Sequence, residues 1–266
     1  MKSFPHISQA QLKTYSKLLQ KKYRRTEGRF IVEGVHLVEE ALSSEWVVDV
    51  VLISSKFDGK DVARQIQQRA KSKNVEVVEV TEREIRKLSD AVTVQGVLGV
   101  VTVKEEHDEP FWKTLPQKSV VVALDAISDP GNVGTILRTC DWFNVDAVLL
   151  SQNSVDVYNP KVVRSTMGAI FHLRIKPETD LTSEVRSAKQ EGFHVLVTNV
   201  QQGISLDSMK VPQRSFLIFG NEARGVSQEL LQGADEIISI PRYGKAESLN
   251  VAVSCGIVLS RMKMTS

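Results

Sequence analysis

Short apolar runs that stop at polar, glycine-bearing segments constrain this chain more than any other feature. Residues 120–124, 216–219 and 237–240 are strand-length and mostly apolar. Downstream of them lie Asn132-Val133-Gly134 with Arg138, then Phe219-Gly220-Asn221-Glu222-Ala223-Arg224-Gly225, then Ile240-Pro241 with Ser248-Leu249-Asn250-Val251. Residues 147–150, 172–175 and 194–198 read as further strands, and 133–143, 161–167, 181–190, 228–231 and 249–262 as helices. Strands alternating with helices imply an α/β fold, with a parallel sheet covered on both faces. Such folds bind ligands at the carboxyl ends of their strands. Three polar strand ends in one domain therefore predict a composite site for a nucleotide-like cofactor and a substrate.

The 266 residues suit one large domain or two smaller ones. Residues 104–118 are charged, proline-bearing and without periodicity, and they divide the chain. The expected organisation is a smaller α/β domain over 1–104, a linker over 105–118 and the parallel-sheet domain over 119–266. In the first domain residues 8–23 read as one amphipathic helix, with Leu12, Tyr15 and Leu19 on a common face. Residues 29–33, 47–53, 75–80 and 96–103 read as strands, and Thr81 with Glu84 forms a capping box. Cys140 and Cys255 sit in apolar helical contexts without metal-ligand spacing. Buried, reduced thiols in a cytoplasmic protein without a bound metal are expected. Residues 1–20 lack the apolar stretch of a signal peptide, and no run reaches the length of a membrane span.

Each motif has an ordinary reading. Asp129-Pro130-Gly131-Asn132 is a turn into a helix, with Asn132 as a plausible N-cap; it is neither a P-loop nor a dinucleotide fingerprint. The segment from Gly220 to Gly225 has the flexibility of a strand-to-helix loop, with Glu222 as a fixed acceptor. Ser248 is positioned to cap the last helix, which places Asn250 in its first turn.

Together the three segments resemble the signature motifs of the SpoU (TrmH-type) RNA ribose methyltransferases of the SPOUT superfamily, in order and in spacing. Asn132, Gly134 and Arg138 match the first motif; Phe219, Gly220, Glu222 and Gly225 the second; Ile240, Pro241, Ser248, Leu249, Asn250 and Val251 the third. The segments Gly28 to Gly34 and Gln95 to Val100 resemble that family's N-terminal RNA substrate-binding domain. Arg242-Tyr243 departs from the pattern, since many relatives carry methionine and a small residue there, and Ala252 stands where serine is common. Both departures bear on substrate recognition.

The resemblance implies a deep trefoil knot in the C-terminal domain, S-adenosylmethionine as cofactor and a homodimer formed through the catalytic domains. It implies cofactor contacts at Gly220, Ile240 and Leu249, joined by Thr198 and Asn199 at the end of the preceding strand. It implies a catalytic set of Asn132, Arg138, Glu222, Ser248 and Asn250. The substrate implied is structured RNA, with 23S ribosomal RNA favoured over transfer RNA. A base methyltransferase of the same superfamily and a non-catalytic RNA-binding or ribosome-assembly protein are the alternatives.

Charge distribution fits an RNA partner although the net charge is only +2. Lys13, Lys17, Lys21, Lys22, Arg24, Arg25 and Arg29 face a single acid, Glu27, between residues 13 and 29. Lys13, Lys17 and Lys21 recur every four residues, which predicts a basic stripe on one helix face for phosphate contact. Lys161, Arg164 and Arg242 are candidates to extend it, and Tyr23 to stack on a base.

Overall fold

The computed structural model describes residues 4–104 and 111–264. Two compact units emerge, one built from the N-terminal residues with Tyr158–His172, the other from the remainder. Residues 105–110 of the expected linker lie outside the described residues. The rest of that linker is not a spacer: Trp112 and Leu115 are buried in the second unit's core, where the Trp112 ring meets Phe193 and Phe216 edge-on at 4.9 Å.

The first unit runs α1 (Gln9–Lys17), α2 (Lys21–Glu27), β1 (Arg29–Glu33), α3 (Val35–Ser43), β2 (Val48–Ser54), α4 (Lys60–Ser72), β3 (Glu76–Val80), α5 (Glu82–Ile85) and β4 (Val97–Thr102). Its sheet has the order β1-β4-β2-β3, antiparallel except between β2 and β3. The expected Thr81–Glu84 capping box forms at the start of α5. The single helix expected over 8–23 is instead two. Leu18 is fully buried where α1 ends, and its freed carbonyl accepts from Arg24 Nη1 at 2.8 Å. Burying Leu18 and satisfying that carbonyl outweigh helical continuity. Gly28 then closes α2 at a φ of +59°, where a side chain would be strained.

Tyr158–His172 packs with this unit although the sequence reading assigns it to the second domain. It comprises α7 (Pro160–Thr166) and a 3-10 turn, Ala169–Phe171. Tyr158 stacks on Phe30 at 4.8 Å, and Phe171 meets Trp46 edge-on at 5.7 Å. His172 Nε2 lies 3.1 Å from Glu40 Oε2, and Arg164 Nη1 pairs with Glu33 Oε2 at 3.2 Å and Asp90 Oδ1 at 2.6 Å. Arg164 is thus engaged with carboxylates rather than presented to phosphate. The Glu33 carboxylate is buried, and besides Arg164 it has Ser89 Oγ at 2.7 Å. Arg164→Ala would leave that buried charge without its cation, at a cost of about 3 kcal/mol of stability. A lower denaturant midpoint at unchanged slope is the expected result; an unchanged midpoint would mean that Ser89 suffices.

The second unit contains β5 (Ser119–Asp125), α6 (Pro130–Trp142), β6 (Ala147–Ser151), β7 (Ile175–Thr179), α8 (Leu181–Gln190), β8 (His194–Thr198), β9 (Ile204–Ser205), β10 (Arg214–Gly220), α9 (Gln228–Gln232), β11 (Glu236–Ser239) and α10 (Val251–Met264). Its strands pair wholly in parallel, in the order β7-β6-β5-β10-β8-β11-β9. The strand expected over 172–175 begins at Ile175, because His172 closes the 3-10 turn. Pro177 is tolerated there because β7 is an edge strand. Val121, Ala123, Val195, Val197, Phe216 and Ile218 pack with α8 and α9 on one face. The alternate residues Val122, Leu124, Leu196 and Leu217 are equally buried on the other face. The sheet is therefore covered on both sides, as the strand-helix alternation predicts. No helix among the described residues is long and apolar enough to cross a membrane.

Candidate active site at the strand ends

Parallel register brings the carboxyl ends of four neighbouring strands together. Gly220 of β10 lies opposite Asp125 of β5, and Thr198 of β8 lies opposite Ile238 of β11. The three motifs leave the sheet from these ends.

The first motif enters α6 through an N-cap supplied by Asp129, not by Asn132 as expected. Asp129 Oδ1 accepts from Asn132 N at 2.8 Å, and Pro130 occupies the first turn, where its missing N–H costs nothing. Asn132 becomes the third residue of the helix, and its amide is released from capping.

The second motif folds into a tight loop. Asn221 Oδ1 accepts from Ala223 N at 3.0 Å and Arg224 N at 3.1 Å, and Gly225 N donates to Asn221 O at 2.8 Å. Gly225 turns the chain at a φ of +70°. Asn221 Nδ2 donates to Ala126 O at 2.7 Å, and Ser227 N donates to Asp125 Oδ2 at 2.8 Å, which stitches this loop to the end of β5. Glu222 is left exposed near the loop tip. The sequence motifs do not point to Asn221 or Asp125; the Asx-turn signature in Asn221-Glu222-Ala223-Arg224 is the one readable sign.

The third motif ends on α10, whose cap is Asn250 rather than Ser248. Asn250 Oδ1 accepts from Ala252 N at 2.9 Å and Val253 N at 3.3 Å, and Ser254 N donates to Asn250 O at 2.9 Å. A poor helix former is well placed in that position. Ser248 is exposed and has no hydrogen-bond partner among the described residues.

Asn250, Asn132 and Glu222 then form one chain. Asn250 Nδ2 donates to Asn132 Oδ1 at 2.9 Å, and Asn132 Nδ2 donates to Glu222 Oε1 at 2.7 Å. These bonds join residues 118 and 90 positions apart. Direction is fixed throughout: the α10 amides set the Asn250 amide, which sets Asn132, whose N–H ends on a carboxylate. Asn132 keeps one N–H and one lone pair for a ligand. Arg138 lies six residues further along α6, roughly 9 Å down its axis. It is exposed and has no hydrogen bond or ion pair among the described residues. The structure thus brings together three of the five expected catalytic residues and carries Arg138 on the same helix as Asn132.

Among the expected cofactor residues, Gly220 is the most constrained. A Cβ there would lie 2.2 Å from Val226 N and 2.3 Å from Gly225 C. Thr198 Oγ1 donates to Ile218 O at 3.1 Å, and Asn199 Oδ1 accepts from Gln201 N at 2.8 Å and Gln202 N at 3.2 Å, so both side chains shape the strand end. Ile240 is half-buried, while Leu249 is 48% exposed, a high value for leucine. Apolar side chains left partly open next to the strand ends fit a cofactor with an adenine ring and a polar tail. Behind the site, Cys140 on α6 and Cys255 on α10 are fully buried, and burial pushes the Cys140 thiol well above its usual range. Both are packing residues, as expected.

The basic residues of the first unit divide. Lys13, Lys21 and Arg25 are exposed. Lys17 and Lys22 lie over the Tyr23 ring at 5.2 and 5.9 Å. Arg24 is only 4% exposed and bonded to Leu18, and Arg29 pairs with Asp49 at 2.7 Å. The break before Lys21 also ends the continuous stripe, leaving Lys13 and Lys17 on α1 and Lys21 on α2.

Known proteins carry the same architecture. The SpoU rRNA Methylase family model matches residues 119–260, and the MRM3-like substrate binding domain model matches residues 9–99. The 23S rRNA (guanosine(2553)-2′-O)-methyltransferase RlmP of Bacillus subtilis is 34% identical over 263 residues, covering 99% of this chain and 100% of its own length. An AdoMet-bound rRNA methyltransferase from Sinorhizobium meliloti superposes with a TM-score of 0.85 at 27% identity, over 99% of this chain and 98% of that one. A TrmH-family RNA methyltransferase structure from Porphyromonas gingivalis gives 0.84 at 30% identity, over 98% and 99%.

Proposed function

The chain belongs to the SpoU rRNA methylase family, and on that premise we propose that it transfers the methyl group of S-adenosylmethionine to a ribose 2′-hydroxyl of 23S ribosomal RNA. The observation that carries the reading is the Asn250–Asn132–Glu222 chain. It fixes an amide with a free donor and a free acceptor at the strand ends, on the helix that also carries the uncommitted Arg138. Two aligned polar groups of this kind suit a ribose, whose hydroxyls donate and accept.

When bound, S-adenosylmethionine would supply an electrophilic sulfonium methyl and a neutral thioether leaving group that keeps the carbon–sulfur pair, in exchange for the proton of the ribose 2′-hydroxyl. The chain's own residues supply geometry and charge. Gly220, Ile240 and Leu249 would hold the cofactor, with Thr198 and Asn199 shaping that wall. Asn132 orients the ribose, held by Glu222 and Asn250, and Ser248 offers an unspent hydroxyl beside them. The Arg138 guanidinium acts as a fixed positive charge that stabilises the developing alkoxide and grips a phosphate. The proton passes to a phosphate oxygen or to water. In-line approach of two held reactants accounts for much of the acceleration.

The first unit is the RNA-holding half in this account, with Lys13, Lys17, Lys21 and Arg25 as its phosphate contacts; Arg24 and Arg29 support the fold around them. A homodimer forms through α6 and α10. Trp142 on α6 is 84% exposed, and Val253, Ile257 and Met264 leave α10 apolar on its outer side as well. Exposed apolar side chains grouped on a helix whose other face is already buried fit a surface covered by a partner. Ile257→Asp is expected to halve the sedimenting mass; an unchanged mass would place the dimer elsewhere. The chain's return from β11 across the strand ends to α10, beside α6, supports the trefoil crossing. An rRNA substrate supports a cytoplasmic location.

The purified protein with S-adenosylmethionine and undermethylated 23S rRNA tests the reaction by nucleoside mass analysis. A 2′-O-methyl nucleoside is expected. A base-methylated nucleoside, or transfer only to transfer RNA, would overturn the reading.

A further inference from the structure

The loop between β11 and α10 carries side chains that the catalytic chain does not use. Its ends are pinned, by the pairing of β11 on β8 and by Asn250, while Arg242 to Ser248 are all exposed. Tyr243 is 93% exposed. The other three tyrosines are all covered: Tyr15 is buried, Tyr23 lies beneath two lysines, and Tyr158 packs on Phe30. Tyr243 has no ring contact and no hydrogen bond among the described residues. An aromatic ring this open, on a loop anchored at both ends, leaves its apolar area unspent.

The cations around it are equally uncommitted. Arg242 and Lys245 flank Tyr243 on the same loop, and Arg224 follows Glu222 by two residues on the loop that the Asn250–Asn132–Glu222 chain ties to it. All three are exposed and have no ion pair or hydrogen bond among the described residues. Two other arginines of this unit are engaged: Arg174 donates to Thr114 Oγ1 at 2.7 Å and Arg214 to Trp112 O at 3.0 Å. Glu247 is the one acid between residues 241 and 250. An open aromatic ring among free cations is the chemistry of a single-stranded nucleic-acid contact, with stacking for a base and charge for its phosphates.

We propose that Tyr243 stacks on an unpaired base next to the target ribose, with Arg224, Arg242 and Lys245 holding the adjacent phosphates. The third motif loop then selects the RNA as well as bounding the catalytic site. This rests on the ribose-methyltransferase reading for its substrate, yet it can be read by binding alone.

The test compares wild-type protein with Tyr243→Ala, Tyr243→Phe and the double variant Arg242→Ala/Lys245→Ala. Undermethylated 23S rRNA and S-adenosylmethionine are the probes. Stacking of one base is worth about 1–3 kcal/mol, so Tyr243→Ala is expected to weaken RNA binding and kcat/KM by roughly 5- to 150-fold. Tyr243→Phe should restore both, because the ring rather than the hydroxyl makes the contact. The double variant should lower the salt dependence of RNA binding by about two counterions. Cofactor affinity, measured without RNA, should stay at the wild-type value throughout. Wild-type RNA binding by Tyr243→Ala overturns the proposal. A matching loss of cofactor affinity or of the dimer also overturns it, since Tyr243 would then serve the cofactor or the partner copy. RNA affinity needs no turnover, so a wild-type protein that methylates nothing would sink the reaction while this contact is still judged on binding.

Discussion

Arg138→Ala is expected to lower kcat by about 10²- to 10³-fold, as loss of a charge aimed at a developing oxyanion does, and to leave S-adenosylmethionine affinity unchanged. The reason lies in its surroundings. Arg138 projects from a helix whose opposite face is fully buried through Val133, Ile136, Leu137 and Cys140, so its removal disturbs no packing. It has no intramolecular partner among the described residues and therefore supports no other group. A permanent cation without a protein counter-charge is available to the substrate alone. Arg138→Lys should recover little, because a point charge on a flexible stem does not reproduce a planar, two-pronged donor. Single-turnover rates with saturating cofactor, alongside calorimetric binding of S-adenosylmethionine, separate the two roles. A parallel fall in cofactor affinity would make Arg138 part of the binding site instead.

Gly220→Ala is expected to lower transfer by at least about 10²-fold through loss of cofactor binding. The new methyl would meet Val226 N at 2.2 Å, Gly225 C at 2.3 Å and Gly225 O at 2.5 Å, all backbone atoms that no rotamer change can move. The loop from Asn221 to Gly225 must shift bodily, carrying Glu222 away from Asn132. A displacement of about 1 Å in such a site costs on the order of 10²-fold in rate, and overpacking costs about 1–3 kcal/mol of stability. The sheet should survive, because Phe216–Ile218 keep their pairing to β5 and β8. Gly225→Ala is the informative companion. Nothing lies within 4 Å of its added methyl, so only the strain of a φ of +70° remains. It should cost roughly 1–2 kcal/mol of stability and far less cofactor affinity. Equal loss in the two variants would show that loop flexibility, not the close approach at Gly220, is what the cofactor needs.

The parallel sheet was legible because buried strands leave unbroken apolar runs, and residues 120–124 and 216–219 cannot be read otherwise once helices follow them. The motif residues were legible as a set, since order and spacing survive without geometry. What sequence could not assign is which polar residue caps and which reaches the site. Asp129 and Asn132 both suit an N-cap, as do Ser248 and Asn250, and tertiary hydrogen bonds decide between them. Arg24 illustrates the same limit. It sits in a basic run, yet Leu18 breaks the helix and draws the guanidinium inward. Tyr158–His172 escaped because local pattern says nothing of which core a segment joins. Its attachment rests on Arg164, Tyr158 and Phe171 meeting residues more than a hundred positions away. Phe111-Trp112 carried a readable signal: two aromatic residues are out of place in a solvated linker.

Ribose methylation through Arg138 is read by mapping 2′-O-methyl marks on 23S rRNA from cells with and without this gene, and after return of either the wild-type gene or the Arg138→Ala form. One ribose mark is expected to disappear without the gene, to return with wild type and to stay absent with Arg138→Ala. An unchanged map, or a mark restored equally by both forms, would contradict ribose methylation through Arg138.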